Sequence, residues 1–223
     1  MSKRILITGG SSGLGRELAR LAHAAGWTVG VVARNSGPLA ELARELPGLQ
    51  TISADVGRKT DTYKIAHEAL AKLGGIDVLV HNASSLGPTP LRLLADGQCE
   101  DFEAVLQTNL LGPYRRTKAL IGGLLLRGAG AVLTISSDAA VQAYPGWGFY
   151  GASKAAADHL SRIWQAELGA QGVSFLEFDP GEMNTPMHAA AVPDADKSQL
   201  KSAAASAREL WARLQSLLPK GTP

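Results

Sequence analysis

The chain has 223 residues, 45% hydrophobic and 19% charged, and its 22 basic and 20 acidic side chains leave a formal net charge of +2. That length suits one α/β domain with a substantial core, and the composition is that of an ordered globular protein. The near balance of charge gives no electrostatic case for nucleic acid or an anionic membrane. A single cysteine, Cys99, excludes an internal disulfide and a four-cysteine zinc site, and no apolar run reaches the roughly 20 residues of a membrane helix.

Short apolar runs alternate with helical patterns from one end of the chain to the other. A first strand is expected at 4–8, which leaves no room before it for a signal peptide and points to the cytoplasm. A helix follows at 14–25, a strand at 28–33, a helix at 37–46, a strand at 49–53, a helix at 61–73 and a strand at 76–81. A long helix is expected at 102–126, a strand at 131–136, a helix at 150–171 and a strand at 173–178. The Ala-rich stretch 203–218 reads as a last helix, with Leu210, Trp211, Leu214, Leu217 and Leu218 on its apolar face. Most strand runs are rich in Val and Ile and nearly continuous, as in strands covered on both faces. The pattern predicts βαβ units in one doubly wound Rossmann-type domain, with a parallel sheet of about six strands in the order 3-2-1-4-5-6. Segment 186–202, with Pro193-Asp194 inside it, is expected to form a lid over a substrate.

The turn after the first strand reads Thr8-Gly9-Gly10-Ser11-Ser12-Gly13-Leu14-Gly15. Glycines let a backbone approach a ligand closely, and a helix N-terminus offers N–H groups and positive dipole to a pyrophosphate. Gly9, Ser11, Ser12, Gly13, Leu14 and Gly15 are therefore candidate phosphate binders. Residues 9–13 also satisfy the Gly-x-Ser-x-Gly pattern of a hydrolase, with Ser11 as nucleophile and His159 or His188 as base. A P-loop is excluded, because Arg16 and Glu17 stand where Lys and Ser/Thr are required.

Strand 28–33 runs into Arg34, and no acidic residue follows before Glu41. A carboxylate at this point would bind the ribose hydroxyls of NAD, whereas Arg34 suits a 2′-phosphate, so NADP(H) is expected over NAD(H). Tyr150 and Lys154 lie four apart on one helix face, where an ammonium favours a phenolate and the pair can act in acid/base chemistry. Strand 131–136 ends at Ser136-Ser137, where a hydroxyl can hydrogen-bond a substrate oxygen gaining negative charge. Tyr144, Trp147, Phe149 and Met187 are candidates for an apolar substrate pocket and equally for the core. His23, His67, His81, His159 and His188 show no metal-ligand spacing and are assigned to helix surfaces, with no metal site.

Taken together these residues resemble the short-chain dehydrogenase/reductase family, from Ile5 to about Met187. Residues 8–15 look like its cofactor loop, Asp55-Val56 like its adenine-contacting pair, and Asn82-Ala83-Ser84 like its Asn-Ala-Gly motif with serine in place of glycine. Asn109, Ser137, Tyr150 and Lys154 look like its catalytic residues, and Pro180, Gly181, Met183 and Thr185 fall in its nicotinamide-side Pro-Gly-x-x-x-Thr motif. The resemblance implies hydride transfer between nicotinamide and a carbonyl or alcohol of a small, apolar substrate. In it Tyr150 exchanges the proton, Lys154 lowers the tyrosine and holds the ribose, Ser137 polarises the carbonyl, and Asn109 holds a water. Non-catalytic dinucleotide sensing is the remaining alternative. Asp179 stands where the family has a neutral residue. Family members end in a seventh strand; no apolar run remains here to form one, so the resemblance implies a homodimer through helices 102–126 and 150–171.

Overall fold

A computed structural model describes residues 2–218. Six strands, β1 (Arg4–Thr8), β2 (Thr28–Ala33), β3 (Gln50–Ser53), β4 (Val78–His81), β5 (Gly130–Ile135) and β6 (Val173–Phe178), form one parallel sheet in the order β3-β2-β1-β4-β5-β6. Six is the number among the described residues, and 219–223 lie outside them.

The continuous apolar strands follow from burial on both faces. Ile5 and Ile7 of β1 point to one side with Val29 and Val31 of β2, into a core closed by helices α1 (Gly13–Ala24), α2 (Ser36–Glu45) and α8 (Ala203–Leu217). Leu6, Val32 and Leu79 point to the other side. There they meet α3 (Asp61–Leu73), α5 (Gly112–Arg127) and α6 (Gly148–Leu168). The period-two alternation of a strand, with both layers covered, makes each successive residue apolar. On α8, Leu210, Leu214 and the following Leu218 are buried, and Trp211 packs on Trp27 with ring centroids 4.8 Å apart. Leu217 is only half-buried.

The expected helix 102–126 is three pieces rather than one. The α-helix α4 (Cys99–Leu106) passes into a π-helical segment, Gln107–Leu111, before α5 begins. Two residues account for the break. Pro113 has no N–H to donate to the carbonyl of residue 109. The Gly112 N–H donates to the Gln107 carbonyl, five residues back, and a side chain on Gly112 would collide with the Val56 carbonyl oxygen. His81 departs from the expected surface placement: it lies in β4, is 4% exposed and hydrogen-bonds Thr117 at 2.8 Å. Among the described residues, no helix is long and apolar enough to cross a membrane.

Candidate active site

The sheet reverses its winding direction between β1 and β4, and a crevice opens at their carboxyl ends. Thr8 and Asn82 fasten these two strand ends together. Thr8 Oγ1 donates to the Val80 carbonyl and accepts from the Asn82 and Ala83 N–H groups, at 3.1, 3.1 and 3.2 Å. Asn82 Nδ2 donates to the Thr8 and Gly9 carbonyls at 2.9 and 3.0 Å. The loop above them needs its glycines. Gly9 has φ +66° and Gly13 φ +52°, and a Cβ on Gly15 would lie 2.5 Å from Asn82 Nδ2 and 2.7 Å from the Gly9 carbonyl. α1 starts at Gly13 with no acidic residue in its first turn, and the Ser12 side chain caps none of its N–H groups. That is a helix N-terminus suited to an anion.

A cavity of about 600 Å³ runs from this loop to Tyr150. Every residue assigned from the sequence to the cofactor or the reaction lines it, except Gly15 and Asn109. Gly15 lies beneath the loop, packed on Asn82, and Asn109 stands behind the wall. Arg34, Asp55 and Val56 are at the end where β2 and β3 finish. Behind Val56 is a residue the sequence reading did not single out. Arg116 is fully buried, donates from Nη1 to the Val56 carbonyl at 2.7 Å, and is pushed down to about 9 by burial.

At the other end the π-helical segment turns Asn109 inward. Its Oδ1 accepts from the Ser85 N–H at 2.8 Å and the Ser84 hydroxyl at 3.1 Å. Its Nδ2 donates to the Ser85 carbonyl at 2.8 Å and to Ser153 Oγ at 2.9 Å. Ser153 Oγ in turn donates to the Tyr150 carbonyl at 2.7 Å. Asn109 therefore braces the β4 turn against α6. Ser153 was legible in principle, since it sits between Tyr150 and Lys154 and faces the same way as Tyr150, three residues earlier. Ser84, in the place of the family's glycine, takes no strained backbone: among the described residues only glycines have positive φ.

Tyr150 is 8% exposed and Lys154 4% exposed, and the Lys154 Nζ lies 5.4 Å from the centre of the tyrosine ring. Lys154 Nζ donates to the Ile135 carbonyl at 2.6 Å, and burial pushes the ammonium down to about 8. The expectation that Lys154 sets a low tyrosine does not hold here. Burial dominates and pushes the phenol up to about 12, against hydrogen bonding with Ser137 and Ser84 that pulls it down. A phenol in that range keeps its proton at neutral pH and can give it to an oxygen gaining negative charge. Ser137 lies two residues beyond the end of β5. Its Oγ donates to Asp138 Oδ1 at 3.0 Å, and Tyr144 donates to Asp138 Oδ2 at 2.8 Å.

The pocket beyond Tyr150 is less apolar than expected. Tyr144, Trp147 and Met187 line it, but so do Asp138, Glu182 and His188. Phe149 does not: its ring stacks on Phe102 at 5.0 Å and fills the space beside Gly97, joining α4 to α6. Asp179 turns its Oδ1 to the Gly181 N–H at 2.9 Å and so shapes the Pro180-Gly181 turn. Among the described residues no histidine hydrogen-bonds Ser11, and His159 is exposed away from the cavity, so the hydrolase arrangement is not assembled.

Comparison with known proteins agrees with this geometry. The short chain dehydrogenase family model matches residues 3–216. L-xylulose reductase of Bos taurus is 30% identical over 198 residues, which span 88% of this chain and 78% of that protein. Carbonyl reductase [NADPH] 2 of Sus scrofa is 28% identical, over 86% of this chain and 76% of that protein. Among solved structures, an alcohol dehydrogenase from Thermococcus sibiricus, complexed with 5-hydroxy-NADP, superposes with a TM-score of 0.88. It is 29% identical and covers 100% of this chain and 93% of its own. With the family model spanning nearly the whole domain, this chain belongs to the short-chain dehydrogenase family.

Proposed function

We propose that the protein is an NADP(H)-preferring oxidoreductase that interconverts a carbonyl and an alcohol on a small organic substrate. One observation carries the reading: Ser137, Tyr150 and Lys154 line the same cavity as the glycine loop at the start of α1. The cavity suits a dinucleotide. Its volume is in the range of ligand sites, and its floor is a glycine cradle that side chains would fill. Gly9, Ser11, Ser12, Gly13 and Leu14 would hold the pyrophosphate, with Gly15 supporting the loop from below. Asp55 and Val56 would hold the adenosine side, Asn82, Ala83 and Ser84 the stretch between the loop and Tyr150, and Pro180, Gly181, Met183 and Thr185 the nicotinamide side. Bound there, the cofactor supplies or accepts the hydride.

The chain's own groups handle the oxygen and its proton. Tyr150 donates the proton in reduction and takes it in oxidation. Ser137 leaves Asp138 to hydrogen-bond the substrate oxygen, stabilising charge as it develops. Lys154 holds a positive charge beneath the site, and Asn109 fixes the turn that carries Ser84 and Ser85. Segment 186–202 acts as a lid. This is supported by α7 (Pro186–Ala191), capped by Thr185 Oγ1 accepting from the His188 N–H at 3.3 Å, and by Met187, His188, Ala191 and Val192 on the cavity wall. We read the chain as a cytoplasmic homodimer through α5 and α6. Tyr114 and Ile163, 36% and 40% exposed on those helices, support that surface.

Arg34 supports the choice of NADP(H). It is exposed on the cavity wall, and among the described residues no acidic side chain pairs with it. The names of the pig reductase and the archaeal complex point the same way. The test is oxidation of NADPH and NADH against a panel of ketones, aldehydes, diketones and ketoses, with wild type and Arg34→Asp at fixed ionic strength. A charge-assisted hydrogen bond is worth about 1.5–3 kcal/mol, so the variant should lose about ten- to a hundredfold in kcat/KM for NADPH and gain for NADH. A wild type that prefers NADH, or a ratio the substitution leaves unmoved, refutes the cofactor assignment. Absence of turnover with every carbonyl refutes the activity.

A further inference from the structure

Asp158 has no part in the chemistry above, yet it is tied to both sides of the catalytic group. Lys154 and Asp158 lie one turn apart on α6, and both reach the end of β5. Lys154 Nζ donates to the carbonyl of Ile135 at 2.6 Å, and the hydroxyl of Ser136 donates to Asp158 Oδ2. Two neighbours on one helix face thus grip two consecutive residues, 135 and 136, immediately before Ser137. Ser136 is 7% exposed, and the second Asp158 oxygen, Oδ1, is buried with no hydrogen-bond partner.

We infer that Asp158 is a positioning residue: through Ser136 it pins the end of β5 that presents Ser137, and its carboxylate is the counter-charge that keeps Lys154 an ammonium. The inference rests on the reading of Ser137 and Lys154 given above.

The electrostatic surroundings support it. Burial is the largest influence on Lys154 and disfavours its charge; Asp158 is the strongest opposing influence, followed by Asp179 beyond β6. The Tyr150 ring also faces the ammonium. Around Asp158 the charged groups are Lys154 and Arg162 on α6 and Glu177 on β6. Burial and Glu177 push its carboxyl up, while the Ser136 hydrogen bond and the two cations pull it down. Because Lys154 already sits at about 8, it has little margin. Removing the one carboxylate on its own helix face brings its titration into the neutral range.

Two variants separate the two roles. Asp158→Asn keeps an oxygen for Ser136 and removes the charge; Ser136→Ala removes the bond and keeps the charge. The Lys154 side chain is titrated by NMR of its ¹³Cε resonance in the full-length protein, assigned by its loss in Lys154→Arg. Reduction of 9,10-phenanthrenequinone by NADPH gives kcat and KM. Asp158→Asn should lower the Lys154 midpoint by about one pH unit. Ser136→Ala should leave that midpoint in place and reduce kcat by roughly two- to tenfold, the worth of one hydrogen bond, with the KM for NADPH unchanged. An unmoved midpoint in Asp158→Asn, or wild-type kcat in Ser136→Ala, overturns the inference. A wild type that reduces no carbonyl would instead overturn the proposed activity, and the Lys154 titration would still decide the counter-charge.

Discussion

Gly15→Ala adds a single methyl group and should still disable the cofactor loop. The new Cβ would lie 2.5 Å from Asn82 Nδ2, 2.7 Å from the Gly9 carbonyl oxygen and 2.9 Å from Gly10 Cα. Two of those neighbours are backbone, so the Asn82 amide must move. It then gives up its bonds to the Thr8 and Gly9 carbonyls, now 2.9 and 3.0 Å long. Each such bond contributes about 0.5–1.5 kcal/mol, and forcing extra volume into a packed site costs about 1–3 kcal/mol more. Replacing glycine by alanine inside a helix returns about 1 kcal/mol. The net loss is therefore about 1–5 kcal/mol, which in a domain of this size lowers Tm by roughly 2–4 °C for each kcal/mol. Because the strain falls on the Gly9 carbonyl and the Asn82 turn, NADPH affinity should fall as well. Thermal unfolding by circular dichroism and a fluorescence titration with NADPH measure the two effects. A variant that melts with wild type and binds NADPH equally well would show that Asn82 does not hold the loop as described.

Tyr150→Phe should cut turnover by about 10²–10⁴-fold while circular dichroism and NADPH binding stay close to wild type, and near-normal rates would remove the phenol from the reaction. The kcat/KM for NADPH reports the unliganded enzyme, where Lys154 sits at about 8: the ammonium is present below that pH and lost above it. The ratio should therefore fall as pH rises through about 8, and a flat profile across that range would exclude Lys154 as the titrating group. Ser84→Gly removes a hydroxyl that donates to Asn109 at 3.1 Å and helps pull the Tyr150 phenol down. In the direction of alcohol oxidation, the ascending limb of the pH profile should move to higher pH, and an unmoved limb would confine Ser84 to a structural role.

The sequence by itself determined the parts of this protein that depend on local pattern. Apolar runs of four to six residues alternating with helical stretches require a parallel sheet covered on both faces, and the observed order is the expected one. The glycine-rich turn, the Tyr150/Lys154 spacing and the serines after β5 marked one cavity, since strand ends converge wherever a doubly wound sheet reverses. Tertiary contacts decided the rest. The long helix before β5 is broken around Asn109 because Pro113 withholds a donor and Gly112 must clear the Val56 carbonyl, a partner more than fifty residues away. Phe149 could belong to the pocket or to the core and is stacked on Phe102, since an apolar aromatic side chain suits both places and only packing distinguishes them. The Tyr150 phenol was expected to be lowered by a lysine one turn away, but burial of the ring is the largest influence on it and pushes it up. Spacing along a helix tells which groups can meet; how far each is withdrawn from water depends on everything packed around it, and only the folded chain supplies that.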